Sequence, residues 1–143
     1  DSVLCLAADC AGARLASGGA EGCCRLWDLR NRRSVRAAFL PAEVVSVSLS
    51  PGSPLLVAAT ARDVFGFDLR SEKVVLKEPD RAAAGATDDI NQVLMDEAGQ
   101  SAAVADDSGA VRLLDLKTWC VEKTLAGKAG HENICSSLAW KPG

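Results

Sequence analysis

Apolar and polar positions alternate along this chain in short runs, and three of these runs nearly repeat one another. The repeated strings are CRLWDLR (24–30), VFGFDLR (64–70) and VRLLDLK (111–117). The Asp close to the end of each string moves from Asp28 to Asp68 to Asp115, which gives spacings of 40 and 47 residues. This period is close to the roughly 40 to 45 residues of a repeated unit of four strands. The pattern therefore predicts a small β unit that is repeated, rather than a single compact domain.

Each unit is predicted to contain four strands in the same order. The first strands are expected at 3–7, 44–50, 90–96 and 134–140, the second at 15–18, 55–60 and 102–105, and the fourth at 34–39, 73–77 and 119–125. The fourth strands carry Arg or Lys among apolar residues, as expected of an outer edge that avoids pairing with other chains. The predicted units are 1–40, 41–87, 88–128 and an incomplete 129–143, and 77–88 is expected to be a mobile surface loop.

Two longer strings and a dipeptide resemble the repeats of a known family. They are ASGGAEGCCRLWDLR (16–30), ADDSGAVRLLDLK (105–117) and the pair Gly130 and His131. On these residues the chain resembles the WD-repeat family of β-propellers. The resemblance implies an all-β fold, a partial WD-repeat propeller of three four-stranded antiparallel blades and the first strand of a fourth. Because a propeller closes with about four to eight blades, we expect open apolar faces at both ends and self-association of the isolated chain.

The resemblance also implies a set of structural repeat positions. In many WD repeats a His, a second-strand Ser or Thr, a turn Asp and a third-strand Trp form one hydrogen-bonded set. The corresponding positions are Ser17, Glu21 and Trp27 in the first unit, Val57, Ala61 and Phe67 in the second, Val104, Ser108, Leu114 and the adjacent Asp107 in the third, and His131 before the fourth. No unit holds the complete set. The blades are therefore expected to depend on apolar packing between sheets, with Trp27 facing a neighbouring blade.

Residues 15–30 and 55–70 resemble a partner-binding box that ends in W-D-x-R. Many WD-repeat proteins use this box to bind the damaged-DNA-binding adaptor of cullin ubiquitin ligases. The resemblance implies that Asp28 and Asp68 brace Arg30 and Arg70 in the turns after the third strands. The planar guanidinium groups would then bind acceptors on a protein partner. The implied function is that of a substrate receptor with an unknown substrate; the alternative is a general assembly scaffold, since Arg after W-D-x is common in the family.

The most basic stretch of the chain is a second candidate surface. It contains Arg25, Arg30, Arg32, Arg33 and Arg36. A solvated loop and a protein-docking surface both remain open, and contacts with nucleic-acid phosphates are a weaker alternative. No aromatic residue lies between Trp27 and Phe39 to stack on bases. The formal net charge of −3 also gives no general attraction to polyanions.

The remaining chemistry favours a non-catalytic module without cofactor, metal or small-molecule substrate. The six Cys residues have no regular spacing and no C-x-x-C pair, so free thiols are expected. His131 and Cys135 could suggest a thiol hydrolase, but the family's loop position gives the His a structural role. The acidic pairs at 88–89 and 106–107 fall in predicted turns. No apolar stretch approaches the roughly 20 residues of a membrane helix, and we expect a cytoplasmic or nuclear location.

Overall fold

The computed structural model describes residues 2–9, 11–70, 75–76, 80–83, 88–126 and 138–141. The strands are β1 (Val3–Asp9), β2 (Arg14–Gly19), β3 (Cys23–Asp28), β4 (Arg33–Phe39), β5 (Ser46–Leu49), β6 (Leu55–Ala59), β7 (Asp63–Asp68), β8 (Val75–Leu76), β9 (Asp80–Ala83), β10 (Ile90–Met95), β11 (Ser101–Asp106), β12 (Val111–Asp115) and β13 (Cys120–Leu125). None of the described residues is helical. The predicted all-β fold class is therefore confirmed, and no helix in this part of the chain could cross a bilayer.

The strands form three sheets in chain order. The first contains β1-β2-β3-β4 with β8 at its edge, the second β5-β6-β7-β9, and the third β10-β11-β12-β13. Neighbouring strands are antiparallel except for β8, which runs parallel to β4. Short turns join consecutive strands, and left-handed glycines at Gly22 (φ 89), Gly99 (φ 71) and Gly109 (φ 82) occupy conformations that a side chain would strain. The three sheets are those of a partial β-propeller.

The fourth strand of the second sheet differs from the sequence prediction. We expected it at 73–77, but Val75–Leu76 instead pairs with Ala37 and Ala38 of the first sheet. The position is taken by Asp80–Ala83, which pairs with β7 and lies inside the segment expected to be a loop. The pattern of 73–77 indicated a strand but not its partner, and the edge of β4 offers unpaired backbone groups. Residues 77–79 and 84–87 lie outside the described ranges.

Two apolar clusters join the sheets face to face. The cluster between the first and second sheets includes Ala16, Cys24, Ala38, Val47, Leu56, Phe65 and Phe67. The cluster between the second and third includes Val57, Val64, Val93, Met95, Val104 and Leu114. Because successive residues of a strand point to opposite faces, the second sheet contributes to both clusters. This explains why β6 and β7 read as nearly continuous apolar runs rather than as alternating ones.

A glycine in β7 allows the second and third sheets to approach closely. A Cβ atom added to Gly66 would lie 2.3 Å from Cη2 of Trp119, so the indole ring occupies the space that any side chain would need. Trp119 itself has a left-handed backbone (φ 58), and its N–H donates to the carbonyl of Asp115 at 2.7 Å. The turn before β13 is thus fixed both by its own hydrogen bond and by contact with the neighbouring sheet.

Serine hydroxyls connect the first strand of the second sheet to the first strand of the third. The N–H of Val93 donates to Ser46 Oγ at 3.1 Å, and the N–H of Met95 donates to Ser48 Oγ at 2.9 Å. Ser50 Oγ donates to the carbonyl of Glu97 at 2.7 Å. Ser46 and Ser48 share one face of β5, since they are spaced by two residues, and Ser50 directly follows the strand. They satisfy backbone groups at the free edge of β10 that its own sheet leaves unpaired.

Trp27 lies on the open face of the first sheet. Trp27 pairs with Leu15, on the face of the first sheet opposite to Ala16 and Cys24, so it points away from the second sheet. Its counterparts Phe67 and Leu114 are buried against the sheet that precedes theirs, at 2% and 1% exposure. The third-strand position therefore faces the preceding sheet in the second and third units. Trp27 has the same orientation in the first sheet, so it lies on the face opposite to the second sheet.

Large apolar side chains are exposed on the first sheet. Val3, Leu6 and Phe39 are 64%, 63% and 61% exposed, and Leu4 is 45% exposed. At the other end Val121 and Trp140 are 38% and 40% exposed. The exposed apolar surface that the sequence predicts is present. The predicted first strand at 134–140 lies mostly outside the described residues; of its last part, Trp140 Nε1 donates to the carbonyl of Leu94 at 3.0 Å.

Candidate functional site

The turn after the third strand has the same hydrogen bond in all three sheets. The Asp that ends the strand accepts the N–H of the residue two positions later through Oδ1. The pairs are Asp28 with Arg30 at 2.9 Å, Asp68 with Arg70 at 2.9 Å, and Asp115 with Lys117 at 2.7 Å. An Asp side chain that bonds the backbone two residues later stabilises a tight turn. The repeat therefore places a basic, exposed residue at the same position in each sheet.

Asp68 also holds the side chain of Arg70. Arg70 Nε donates to Asp68 Oδ1 at 3.0 Å and Nη2 donates to Oδ2 at 2.6 Å, which is a two-point ion pair. The hydrogen bond from Arg70 is the main cause that lowers the pKa of Asp68. The Arg70 side chain nevertheless remains 75% exposed. The second turn thus presents an oriented guanidinium to solvent, as the sequence predicts.

Asp28 does not hold the side chain of Arg30 in this way. Its Oδ2 accepts the side-chain amide of Asn31 at 2.7 Å, and this bond is the main cause that lowers the pKa of Asp28. Arg30 is held through its backbone N–H alone, and within the described ranges its guanidinium makes no ion pair. Asp28 therefore braces Arg30 in the turn through the backbone alone, whereas Asp68 braces both the backbone and the side chain of Arg70. The neighbouring Asn31 is the physical reason, because it competes for the carboxylate.

The third turn adds Lys117 and lies beside a groove of about 640 Å³. Backbone N–H donation by Lys117 lowers the pKa of Asp115, while a hydrogen bond with Asp115 raises the pKa of Glu122. The groove runs between the second and third sheets. Its lining includes Leu55, Asp68, Arg70, Gln100, Asp115, Leu116, Lys117, Trp119 and Glu122. Arg70 and Lys117 therefore border one groove, which polar and apolar side chains line in equal measure.

Among the predicted structural positions, Ser17 and Trp27 interact directly. Trp27 Nε1 donates to Ser17 Oγ at 3.0 Å. Asp107, placed near the family's turn Asp, is exposed and accepts the side-chain amide of Asn91 at 2.8 Å. His131 lies outside the described residues. Two members of the hydrogen-bonded set are therefore present in the first sheet, and Asp107 has a different partner.

Sequence reasoning missed a buried ion pair in the third sheet. Asp106 is completely buried, and its carboxylate accepts hydrogen bonds from Arg112 and from the hydroxyl of Ser108. The sequence predicts a turn for the acidic pair that contains Asp106, yet Asp106 is the last residue of β11. The available signal was Arg112, which occupies the strand position of the buried Phe65 in the second unit. A charge at such a position needs a partner, because an unpaired buried charge is very costly.

The described residues hold no group of His, Cys, Asp or Glu side chains that could bind a metal. Of the six Cys residues in the sequence, the structure gives Cys5, Cys23, Cys24 and Cys120 as free thiols. Burial raises the pKa of the Cys24 thiol to about 12. A buried thiol of this kind behaves as a small apolar side chain. The expectation of free thiols is confirmed for these four residues.

Comparison with known proteins supports the resemblance found in the sequence. Residues 1–28 match the family described as WD domain, G-beta repeat. The chain is 29% identical over 145 residues to the WD repeat-containing protein 53 homolog of Dictyostelium discoideum. This alignment covers 99% of this chain and 39% of that protein. The chain is also 36% identical over 75 residues to MST50-interacting protein 11 of Pyricularia oryzae. This alignment covers 52% of this chain and 24% of that protein.

The chain thus spans less than half the length of either relative. Two of its strings, ADDSGAVRLLDL and HENICSSLAWKPG, predict a narrower resemblance to WD-repeat-containing protein 53. Both the family resemblance and this narrower one are confirmed.

Proposed function

We propose that this WD-repeat chain is a non-catalytic protein-interaction module, and that it binds the damaged-DNA-binding adaptor of a cullin ubiquitin ligase as part of a substrate receptor. The observation that carries the proposal is the two-point ion pair between Arg70 and Asp68 in an exposed turn. This ion pair lies at the end of the box at 55–70. The corresponding box at 15–30 in the first unit has Asp28 and Arg30 at the same positions. A location in the cytoplasm or nucleus is part of the same proposal.

An oriented guanidinium suits partner binding for a physical reason. An Arg side chain that is free in solution loses rotamer entropy when a partner immobilises it. Asp68 already restricts Arg70, so binding costs less ordering. Nη1 of Arg70 makes no hydrogen bond within the described residues and can donate to a carboxylate or carbonyl of the partner. Arg30 offers its whole guanidinium, at a larger entropic cost.

A general assembly scaffold without a ligase link is the second candidate. It is supported by the similarity to a protein named for its interaction with MST50. Exposed apolar side chains such as Leu6 and Phe39 also suit protein contacts. The arginine-rich stretch keeps nucleic-acid binding as a weaker alternative, for which affinity should fall steeply as salt rises.

The test is adaptor capture by the intact protein with Arg30→Ala and Arg70→Ala combined. We expect affinity to fall by about tenfold or more, since removal of interfacial charge slows association and speeds release. Arg62→Ala is the matched control, because Arg62 is similarly exposed but pairs with Asp89 in another loop. Lys at both positions keeps the charge but loses the planar fork. Unchanged capture by the double Ala variant, or no capture by the parent, would reject the ligase role.

A second arm separates the two turns. Asp68→Asn keeps an acceptor for the turn N–H but removes the charge that holds Arg70, so capture should weaken. Asp28→Asn should have a smaller effect, because Asp28 does not contact the Arg30 guanidinium. Equal effects of the two substitutions would show that the orientation of Arg70 is not what the adaptor recognises.

A further inference from the structure

Ser34 is an exposed serine near the start of β4. Its hydroxyl makes no hydrogen bond within the part of the chain that the structure describes. The serines of the second sheet differ, because Ser46 and Ser48 are buried and accept hydrogen bonds from backbone amides of β10. The fold therefore gives Ser34 Oγ no structural contact there, and the hydroxyl is open to solvent.

Ser34 lies at a position that remains exposed where two sheets pack together. It is opposite Trp27 in β3, and in the third sheet Val121 is opposite Leu114, which is the counterpart of Trp27. Leu114 is buried in the cluster between the second and third sheets, yet Val121 is 38% exposed. By the same geometry, a further sheet that covered Trp27 would leave Ser34 accessible.

The backbone around Ser34 is an extended segment with a free edge. β8 pairs with Ala37 and Ala38, and the rest of the outer edge of β4 has no strand partner within the described ranges. Strand edges of this kind open locally at a lower free energy than central strands do. An enzyme that binds an extended segment can therefore reach 33–36 without unfolding the sheet.

Arginines flank Ser34 on both sides. The nearest are Arg30, Arg32 and Arg33 before it and Arg36 after it. None of them makes an ion pair with a residue that the structure describes. Residues 22–42 hold five Arg and a single acidic residue, Asp28, in a chain of formal net charge −3. Asp28 is bonded within its own turn, so among the described residues no carboxylate neutralises the arginines around Ser34.

Arg30 borders the same small cavity as the neighbours of Ser34. The cavity has a volume of about 240 Å³, and its lining includes Arg30, Trp27 and Val35. Ser34 lies opposite Trp27 and directly precedes Val35. An anionic group on Ser34 Oγ would therefore lie at the rim of this cavity, where the long, exposed side chain of Arg30 can reach it.

We propose that Ser34 is a phosphorylation site for a Ser/Thr kinase that selects arginine on both sides of its target. In the reaction, Ser34 Oγ forms a bond to the terminal phosphorus of ATP, the bond from that phosphorus to the departing ADP breaks, and the hydroxyl proton passes to a base of the kinase. Acidic side chains of the kinase pair with the arginines, since charge patterns set the specificity of kinases for their substrates. The modification itself does not depend on the proposed function.

The phosphate has a defined effect on the first turn. It carries a charge of about −1.5 to −2 at neutral pH and accepts charge-assisted hydrogen bonds from nearby Arg side chains. Arg30, whose guanidinium makes no ion pair in the described part of the chain, then pairs with the phosphate rather than with a partner protein. Phosphorylation of Ser34 therefore weakens adaptor binding through Arg30, and this consequence rests on the proposed function.

The modification is tested by treating the intact protein with ATP, Mg²⁺ and a purified arginine-directed Ser/Thr kinase, and by locating the phosphate with mass spectrometry. We expect phosphate on Ser34 and its loss in Ser34→Ala. Thr124→Ala is the matched control and should be modified like the parent, because Thr124 is an exposed hydroxyl of another outer strand and follows Glu122 and Lys123. Absence of phosphate on Ser34, or equal modification of Ser34→Ala and the parent, would overturn the proposal.

The role of the arginines is tested by Arg32→Gln combined with Arg33→Gln. The rate of Ser34 phosphorylation should fall by about tenfold or more, because hydrogen bonds between charged groups are the strong ones. Thermal unfolding shows that the variant is folded. A kinase that selects carboxylates around its target should not modify Ser34. An unchanged rate for the double variant would show that exposure alone selects Ser34, and the assignment to an arginine-directed kinase would be wrong.

The consequence is tested by the adaptor affinity of phosphorylated and unmodified protein. We expect phosphorylation to weaken capture by about fivefold or more, since the phosphate competes with the adaptor for Arg30. In Arg30→Ala, phosphorylation should change the affinity little, because the group on which the phosphate acts is absent.

If the parent binds the adaptor and phosphorylation leaves its affinity unchanged, the consequence is wrong while the proposed function stands. If the unmodified parent does not bind, the proposed function and the consequence both fail, and the phosphorylation site is decided by the modification experiment.

Discussion

The indole Nε1 of Trp27 donates to Ser17 Oγ at 3.0 Å, and the two residues lie on the face of the first sheet that points away from the second. Ser17 is buried, while Trp27 is only partly so. The equivalent Phe67 and Leu114 have no comparable polar group and pack in apolar clusters instead. Among these three equivalent third-strand residues, a hydrogen bond therefore supports the one with the least apolar cover.

Truncation of Trp27 should cost less than truncation of its counterpart in the second sheet. Phe67→Ala removes a fully buried ring and should lower the free energy of unfolding by about 3 to 5 kcal/mol. Trp27→Ala should lower it clearly less, and Ser17→Ala by about 1 kcal/mol, the value of one lost hydrogen bond. Urea unfolding measures all three. A cost for Trp27→Ala as large as that for Phe67→Ala would mean that another sheet covers Trp27.

Gly66 should tolerate no side chain. Gly66→Ala places a Cβ 2.3 Å from the Trp119 ring, so the second and third sheets must separate or the turn must move. We expect a loss of about 1 to 3 kcal/mol, typical of overpacking. Gly19→Ala is the control, because its nearest contacts are the flexible carboxylate atoms of Glu21. Thermal unfolding distinguishes the two, and an undiminished stability for Gly66→Ala would contradict the close packing.

The isolated chain should associate through its exposed apolar residues. We expect it to elute as more than a monomer and to bind a dye that fluoresces on apolar surfaces. Leu6→Glu combined with Phe39→Glu should reduce both signals, since these side chains are 63% and 61% exposed on the first sheet. Val121→Glu, at the other end, shows whether the third sheet contributes. A monodisperse parent that binds no dye would contradict the prediction.

Stability should fall in acid partly through Asp9. Hydrogen bonds from Arg14, at 2.6 and 3.1 Å, are the main cause that lowers the pKa of Asp9 in the folded chain. A lowered pKa adds stability above the unfolded-state value of about 3.9, and this stability is lost as the pH falls through the folded value. Unfolding free energies from pH 7 to pH 2 should therefore decline less steeply for Asp9→Asn.

Asp88→Asn, which removes one exposed carboxylate elsewhere, is the matched control for the loss of charge. Parallel pH profiles for Asp9→Asn and the parent would show that the ion pair with Arg14 does not contribute.

The sequence was sufficient for the strands other than β9, because each of them carries its own pattern, whereas β9 lies in a segment expected to be a loop. The alternation in 90–96 and the apolar runs at 55–60 and 102–105 depend only on which faces are buried, and the structure has strands at all three. The choice of partner was less predictable. Val75–Leu76 pairs with the first sheet rather than the second, a choice made by long-range geometry that no local pattern encodes.

The candidate site was predicted in its backbone but not in its side chains. The spacing of Asp28 to Arg30 is identical to that of Asp68 to Arg70, and both turns have the expected N–H bond. Only the second turn orients its guanidinium, because in the first turn Asn31 takes Asp28 Oδ2. That difference rests on one neighbouring residue, whose side-chain conformation a repeat pattern does not specify.

The serine contacts between β5 and β10 have a consequence for the order in which the chain folds. Ser46 and Ser48 lie 47 residues before the amides of Val93 and Met95 that they accept. The hydroxyls belong to the second sheet, which is synthesised before the third. N-terminal segments generally fold first during synthesis. When β10 emerges, its free edge meets acceptors already in position, so it is closed to intermolecular β-pairing from the start. Deuterium exchange at these two amides consequently reports separation of the second and third sheets.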